Sequence, residues 1–172
     1  MVNWWAAIAY GSRTPLVRVR KRKPTERTTP RDHLGLNSTP YATEIYDFHL
    51  IPFLFSLDQP IKKLKVVEDN AKYHLACPNR EISSAFGVQK LPLPANSPDL
   101  NPIENVWHIF KQRLRKRFSK NVDDRPHSED ELWAIMEEEW DAMDQRMIDR
   151  LIDSMPSRVQ AIITSEGSHI KS

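Results

Sequence analysis

The spacing of apolar residues along the chain predicts alternating strands and helices. Gly11 and Ser12 separate the first two apolar segments and favour a hairpin turn. Pro52 interrupts an otherwise helical pattern. The predicted elements are strands over residues 2–10 and 15–21, a helix over 43–57, a buried strand over 61–67, a helix over 77–86 and a strand over 88–93.

The second half of the chain has a clearer helical period. Apolar residues recur at three- and four-residue spacing in Trp107, Phe110, Leu114 and Phe118. We expect this face to pack against the sheet. A further helix should start at Ser128, because Glu131 follows it at the spacing of a capping box.

That last pattern predicts one helix with an apolar face and an acidic face. The apolar positions are Leu132, Met136, Trp140, Met143, Met147 and Leu151. The acidic positions are Glu137, Glu138, Glu139, Asp141 and Asp144. Consecutive carboxylates on a helix point in different directions, so the acidic run is typical of a solvated face and not of a metal site.

Two short motifs stand out against this background. Asp69 begins the segment Asp-Asn-Ala-Lys-Tyr-His, and Glu104 belongs to Asn-Ser-Pro-Asp-Leu-Asn-Pro-Ile-Glu. Positions 70 to 103, 34 residues, separate the two acids. Each motif alone has a structural interpretation, since Asp69 can end a strand and Glu104 can cap a helix that begins at Pro102. Their combination at this spacing indicates a shared function, beyond the formation of a local turn and a helix cap.

Together the motifs resemble the catalytic core of the mariner-superfamily DDE transposases. In that family two Asp and a final Glu bind divalent metal for DNA cleavage and joining. The resemblance implies that Asp69 is the second acid and Glu104 the third, both catalytic and both ligands of Mg²⁺ or Mn²⁺. The phrase Ser-Met-Pro-Ser-Arg at residues 154–158 also resembles the family's closing segment.

The resemblance also implies an architecture. We expect an α/β, ribonuclease H-like mixed sheet flanked by helices, lacking its first strand, over residues 1–125. A C-terminal helical extension over residues 126–172 should pack on the same domain. The segment with Trp4 and Trp5 matches the family's second strand, and the earliest aspartate, Asp32, lies in a Pro- and Thr-bearing loop. We therefore expect an N-terminally truncated copy without the first acid.

Three residues are predicted neighbours of the site. Asn70 follows the second acid directly, and His74 matches the motif histidine. His74 has two equal interpretations. It forms a hydrogen bond to the site or to phosphate, or it is a partly buried structural imidazole. Asp99 matches a recurrent family residue, which we assign to loop and cap geometry before metal binding.

The net charge of +2 conceals two basic clusters. Their predicted DNA-binding residues are Arg18, Arg20, Lys21, Arg22 and Lys23 in the first, and Lys111, Arg113, Arg115, Lys116 and Arg117 in the second. Phosphate contact and a solvated helix face are equal alternatives for either cluster alone. The second cluster lies on the helix that Glu104 begins, which favours DNA. The first is also similar to a nuclear import signal.

Hydrophobic content and the cysteine count limit the classes of protein to which this chain can belong. The sequence is 40% hydrophobic, enough for one domain, and has no apolar run of the roughly 20 residues that a membrane helix needs. A single cysteine, Cys77, excludes an internal disulfide framework. We expect an intracellular, nuclear protein whose partner is DNA, with no membrane and no small-molecule substrate.

Three functions follow as hypotheses. The first is a DDE-type endonuclease domain that acts on DNA phosphodiesters by two-metal catalysis and is inactive as given, because the first acid is absent. The second is a non-catalytic DNA-binding remnant. The third is a protein-interaction module, or a fragment without function, whose exposed sheet edge and Met-rich C-terminal helix lead to homo-oligomers or aggregation.

Overall fold

The computed structural model divides the chain into two compact units. The first comprises Met1–Arg18 and Asn96–Ser172, and the second comprises Val19–Ala95. The structure describes residues 2–19, 41–69, 77–94, 97–120 and 125–165. The expected boundary between residues 125 and 126 stays a prediction.

The N-terminal part of the first unit consists of four short strands. They are β1 (Asn3–Trp5), β2 (Ile8–Ala9), β3 (Ser12–Arg13) and β4 (Val17–Val19). β2 and β3 form the predicted hairpin, in which Ala9 pairs with Ser12 and Gly11 adopts a φ of 73°. Glycine adopts that conformation without strain because it has no Cβ.

The predicted strand over residues 2–10 is interrupted in the structure. β1 pairs with β4, whereas β2 pairs with β3, so Ala6 and Ala7 lie between two separate ladders. Thr14 bridges the interruption, because its Oγ1 accepts a hydrogen bond from the Ala7 N–H at 2.9 Å and its own N–H donates to the Ala7 carbonyl at 2.9 Å. The buried Ala6 then points into the core.

The C-terminal part of the first unit is helical. Its helices are α3 (Pro102–Lys120), α4 (Glu129–Asp141), α5 (Gln145–Asp153) and α6 (Met155–Thr164). The predicted start at Ser128 is confirmed, since its Oγ accepts the Glu131 N–H at 3.1 Å and the Glu131 carboxylate accepts the His127 N–H at 2.6 Å. A side-chain cap of this kind satisfies N–H groups that the first helical turn leaves unpaired.

The single helix predicted through this region is instead two helices, α4 and α5. Asp144 begins α5 because its carboxylate accepts the Arg146 N–H at 3.0 Å. Aspartate is a strong N-cap, and its side chain competes with the helical backbone for hydrogen bonds. The apolar spacing continues across the break, so periodicity alone did not reveal it.

Trp140 lies at the centre of the first unit and has no exposed surface. Its ring centroid is 5.2 Å from that of Trp107 and 5.8 Å from that of Phe110. Its Nε1–H donates to the Thr14 carbonyl at 3.0 Å. The apolar face of α3 therefore packs on α4 and α5 and on Trp4 of β1, so its predicted contact with a sheet is made with a two-stranded one.

The second unit combines helices with a small parallel sheet. A π-helix (Tyr41–Leu50) continues as α1 (Ile51–Ser56), and a 3-10 turn (Ile61–Lys63) precedes β5 (Lys65–Val67). α2 (Cys77–Ala85) then leads to β6 (Gln89–Leu91). β5 and β6 are parallel, with Val66 opposite Lys90.

The core of the second unit is formed by its first helical segment. The buried residues there are Ile45, Tyr46, Leu50, Ile51, Phe53 and Leu54. The prediction of a buried strand over residues 61–67 is wrong in extent and in burial, since only Lys65–Val67 is a strand and Lys65 is exposed. Lysines at 62, 63 and 65 oppose burial because an unpaired charge is costly to desolvate. Across the described ranges, no helix combines the length and apolarity that a membrane span requires.

Candidate metal and nucleic-acid site

Asp69 lies just beyond the end of β5, as the sequence predicts. Successive side chains of an extended segment point to opposite sides. Glu68 points inward, with 12% of its side chain exposed, and Asp69 is exposed. The strand end therefore presents the Asp69 carboxylate at the surface of the second unit and holds its neighbour inside.

Glu68 is anchored by two partners that sequence analysis did not identify. The Tyr46 hydroxyl donates to Glu68 Oε2 at 2.5 Å, and Lys90 Nζ lies 2.8 Å from the same oxygen. Lys90 Nζ also lies 5.0 Å from the centroid of the Tyr46 ring. The parallel pairing of β5 and β6 brings Lys90 to this position, and no local pattern signals it.

This contact strongly perturbs Tyr46. Burial raises the pKa of the Tyr46 hydroxyl well above its usual value, and the negative charge of Glu68 and its hydrogen bond raise that pKa further. A hydrogen bond from Ser83 acts in the opposite direction. Tyr46 is therefore a neutral donor that fixes the Glu68 carboxylate.

Glu104 is the third residue of α3, where the sequence places it, and its side chain is exposed. Its N–H donates to the Asn101 carbonyl at 3.1 Å, and Asn101 is buried. Asp99 is half-buried in the 3-10 turn Pro98–Leu100 immediately before the helix. The role assigned to Asp99 in the geometry of this turn stays a prediction.

The C-terminal motif reaches back to the same turn of α3. Arg158 Nη1 donates to Asn105 Oδ1 at 2.6 Å, and Asn105 directly follows Glu104. α6 also packs against the Pro98–Leu100 turn. Arg158 thus restrains the start of the helix that presents Glu104, a role that sequence analysis missed because the two residues are distant along the chain.

The structure describes some of the predicted site residues and not others. Asp69 belongs to the second unit and Glu104 to the first, so their convergence on a shared cation stays a prediction. Asn70 and His74 lie outside the described residues. Within the described ranges, no group of three or more His, Cys, Asp or Glu residues is arranged to hold a metal ion.

Two arginines of the second basic cluster are used in ion pairs inside the first unit. Arg113 Nε lies 3.0 Å from Glu139 Oε2, and Arg117 Nη1 lies 3.2 Å from Glu139 Oε1. Arg117 Nη2 also lies 2.8 Å from Glu138 Oε2. The hydrogen bond to Glu138 is the main cause that raises the pKa of Arg117. The prediction that the whole acidic run is a solvated face is wrong for Glu139, whose side chain is 16% exposed.

Three further basic residues of α3 face solvent. Lys111, Arg115 and Lys116 are exposed and form no ion pair with the part of the chain that the structure describes. In the first cluster, Arg18 pairs with Asp130 and Glu129 at the start of α4. Its other members, Arg20, Lys21, Arg22 and Lys23, lie outside the described residues.

Comparison with known proteins places these motifs in a family. Residues 39–124, half of the chain, match the model of the DDE superfamily endonuclease, and the match includes Asp69 and Glu104. The chain is 35% identical over 100 residues to the Tc1 transposase of Caenorhabditis elegans, covering 58% of this chain and 34% of that protein. It is 29% identical over 135 residues to the Tc3 transposase of the same species, covering 78% and 39%. The matches thus span little more than a third of those relatives.

Solved structures agree in fold. The catalytic domain of the Mos1 mariner transposase superposes with a TM-score of 0.67 at 20% identity, covering 99% of this chain and 82% of that one. A Mos1 strand transfer complex gives a TM-score of 0.62 at 22% identity, covering 91% and 40%. These likenesses show the ribonuclease H-like fold that the sequence predicts. The family match over half of the chain shows that this chain belongs to the DDE superfamily endonucleases.

Proposed function

We propose that this chain is part of a transposase catalytic core that acts on DNA phosphodiesters, with Asp69 and Glu104 as its metal ligands. The observation that supports this most directly is their placement. Asp69 follows a strand end, Glu104 is in the first turn of a helix, both are exposed, and both lie inside the family match. A strand end and a helical turn are rigid supports for ligands.

The donor groups fit a hard divalent cation. Mg²⁺ and Mn²⁺ prefer carboxylate oxygens, which both residues supply. Structures of the Mos1 catalytic domain have been solved with Mn and with Mg. A bound pair of such ions would activate the attacking oxygen and stabilise the leaving oxygen of an in-line displacement at phosphorus.

The chain's own residues hold the two carboxylates in place. Glu68, fixed by Tyr46 and Lys90, restrains the strand end directly before Asp69. Arg158 restrains the first turn of α3 through Asn105. Both supports limit motion of the ligands, which reduces the conformational entropy lost when a cation binds.

We further propose that these 172 residues alone have little or no strand-transfer activity. The sequence supplies only two of the three acids that the family resemblance implies. Two carboxylates neutralise less charge on a pair of divalent ions than three, so the ions should bind weakly. Robust Mg²⁺-dependent strand transfer by the purified chain, abolished by Asp69→Ala, would overturn this part of the proposal.

Metal binding tests the assignment of Asp69 and Glu104 independently of activity. Mn²⁺ binding to the full chain should be followed by electron paramagnetic resonance of the free ion. We expect Asp69→Asn and Glu104→Gln each to weaken the tightest binding, and the double variant to be no worse than either alone, because the two carboxylates share that site.

Matched controls are available in both units. Asp58 and Glu137 are exposed carboxylates that should not contribute, so Asp58→Asn and Glu137→Gln should leave the binding curve unchanged. If the controls weaken binding as much as the two site variants, binding is a surface charge effect and the proposal fails. Additive losses from Asp69→Asn and Glu104→Gln would refute a shared site.

A second candidate function is non-catalytic DNA binding in the nucleus. The exposed cations Lys111 and Arg115 favour it. Mos1 has been solved as a strand transfer complex, a paired end complex and a pre-cleavage transpososome. These assemblies support DNA as a partner and assembly into oligomers. Measured affinity for a duplex should fall steeply with rising salt, and a salt-independent affinity would refute this candidate.

A further inference from the structure

We propose that the basic cluster of α3 is divided between two tasks. Arg113 and Arg117 fasten α3 to α4, whereas Lys111 and Arg115 form a phosphate-binding track on the helix face that presents Glu104. This track would bind the DNA backbone next to Glu104, and the inference deepens the proposed function on which it rests.

The first task follows from the ion pairs. Glu139 accepts both arginines and is largely buried, with distances of 3.0 and 3.2 Å to Arg113 and Arg117. A phosphate that drew these guanidinium groups away would break their bonds to Glu139. Losing both arginines would leave a largely buried carboxylate uncompensated, which is costly. Arg113 and Arg117 are therefore poor candidates for DNA contacts.

The second task follows from the helical period. Each residue of an α-helix turns about 100° and rises about 1.5 Å. Lys111 and Arg115 come seven and eleven residues after Glu104, so both lie within about 20° of its direction. They are about 10 and 16 Å further along the axis. The exposed His108 lies between them and Glu104 on the same stripe.

The spacing of the track suits a nucleic-acid backbone. Lys111 and Arg115 are about 6 Å apart along the helix axis. One strand of B-DNA presents a charge about every 3.4 Å of its axis, so both side chains can reach phosphates of the same strand. Phosphate contacts of this kind set the register of the DNA without reading its sequence. The track would thus position a phosphodiester relative to Glu104.

Lys116 provides a control built into the same helix. It is exposed and forms no ion pair with described residues, as is true of Lys111. It lies twelve residues after Glu104, which turns it about 120° away from the track. Lys111→Gln and Lys116→Gln therefore each remove one positive charge from α3, but from different faces of the helix.

The test is binding of the full chain to a short duplex, measured by fluorescence anisotropy across a salt series in EDTA. We expect Lys111→Gln and Arg115→Gln each to weaken binding roughly fivefold at low salt and to flatten the slope of log K against log salt by about 1. Lys116→Gln should change neither value by more than the error. Equal effects of Lys111→Gln and Lys116→Gln would overturn the track, as would no effect of Lys111→Gln.

Glu104 itself gives a second, opposite readout. Without metal its carboxylate repels a backbone held on the track, so Glu104→Gln should tighten binding, whereas Glu137→Gln on α4 should not. Unchanged binding by Glu104→Gln would show that the DNA does not pass this residue. Because metal is absent, this assay tests the track without the proposed metal site. Failure of the track is therefore distinguishable from failure of the proposed metal site, which the Mn²⁺ titration tests.

Discussion

Replacing Tyr46 with phenylalanine removes one oxygen from the buried contact that holds the end of β5. The hydroxyl donates to Glu68 at 2.5 Å, and Tyr46 has no exposed surface. A hydrogen bond to a charged group contributes about 1.5 to 3 kcal/mol. Lys90 stays 2.8 Å from the same carboxylate, so Glu68 keeps a partner. We therefore expect Tyr46→Phe to lower the free energy of unfolding by about 2 kcal/mol at neutral pH.

The dependence on pH gives this prediction a second test. The pKa of Tyr46 is raised in the folded protein, whereas an unfolded tyrosine has a pKa of about 10. The stabilising contribution is fully present below pH 10. Above that pH the unfolded state releases a proton that the folded state retains, so stability falls by about 1.4 kcal/mol per pH unit. Tyr46→Phe removes this loss, and the gap between the two proteins should narrow as pH rises above 10.

Urea unfolding measures both effects. All five tryptophans lie in the first unit, so their fluorescence reports that unit, whereas far-UV circular dichroism reports both. The transition seen by circular dichroism should move in Tyr46→Phe. Tyr10→Phe is the matched control, because Tyr10 is 66% exposed. A midpoint shift no larger than that of Tyr10→Phe, or an unchanged gap between pH 9 and pH 11, would refute the reasoning.

Three further perturbations test other contacts of the structure. Trp140→Phe loses the hydrogen bond to the Thr14 carbonyl and leaves a cavity, so it should lower the free energy of unfolding by about 2 to 4 kcal/mol. Urea unfolding followed by fluorescence measures this loss, and replacing the half-buried Trp133 with Phe should cause a much smaller one. Ser128→Ala removes the cap of α4 and should cost about 1 kcal/mol; an unchanged thermal midpoint would contradict this. Glu139→Gln weakens both arginine pairs, so the salt dependence of DNA binding should steepen, and a slope equal to that of the unaltered chain would argue against the pairing.

Local chemistry explains why the helix starts could be predicted from sequence. Pro102 begins α3 as expected, because proline fits the first helical turn and has no N–H to leave unpaired. Ser128 and Glu131 likewise cap α4 through atoms only a few residues apart. The position of Glu104 on the first turn follows from these rules alone. The turn at Gly11 is similarly local.

Long-range pairing explains what the sequence did not reveal. Glu139 was expected at the solvated surface, yet it lies against Arg113 and Arg117, which are more than twenty residues earlier. Charge pattern within one helix carries no information about a neighbouring helix until the two pack together. The division of the basic cluster between a structural and an exposed face is therefore a property of the packed unit.

By itself, the sequence determined the family, the two acidic motifs and the elements that present them, because these depend on residue type and on spacing of a few positions. The tertiary structure alone decided that Glu68 is held by Tyr46 and Lys90, and that Arg158 restrains the turn at Asn105. Such contacts join residues far apart along the chain. They form only where burial and backbone pairing bring a donor within reach of its acceptor, and no local pattern encodes that distance.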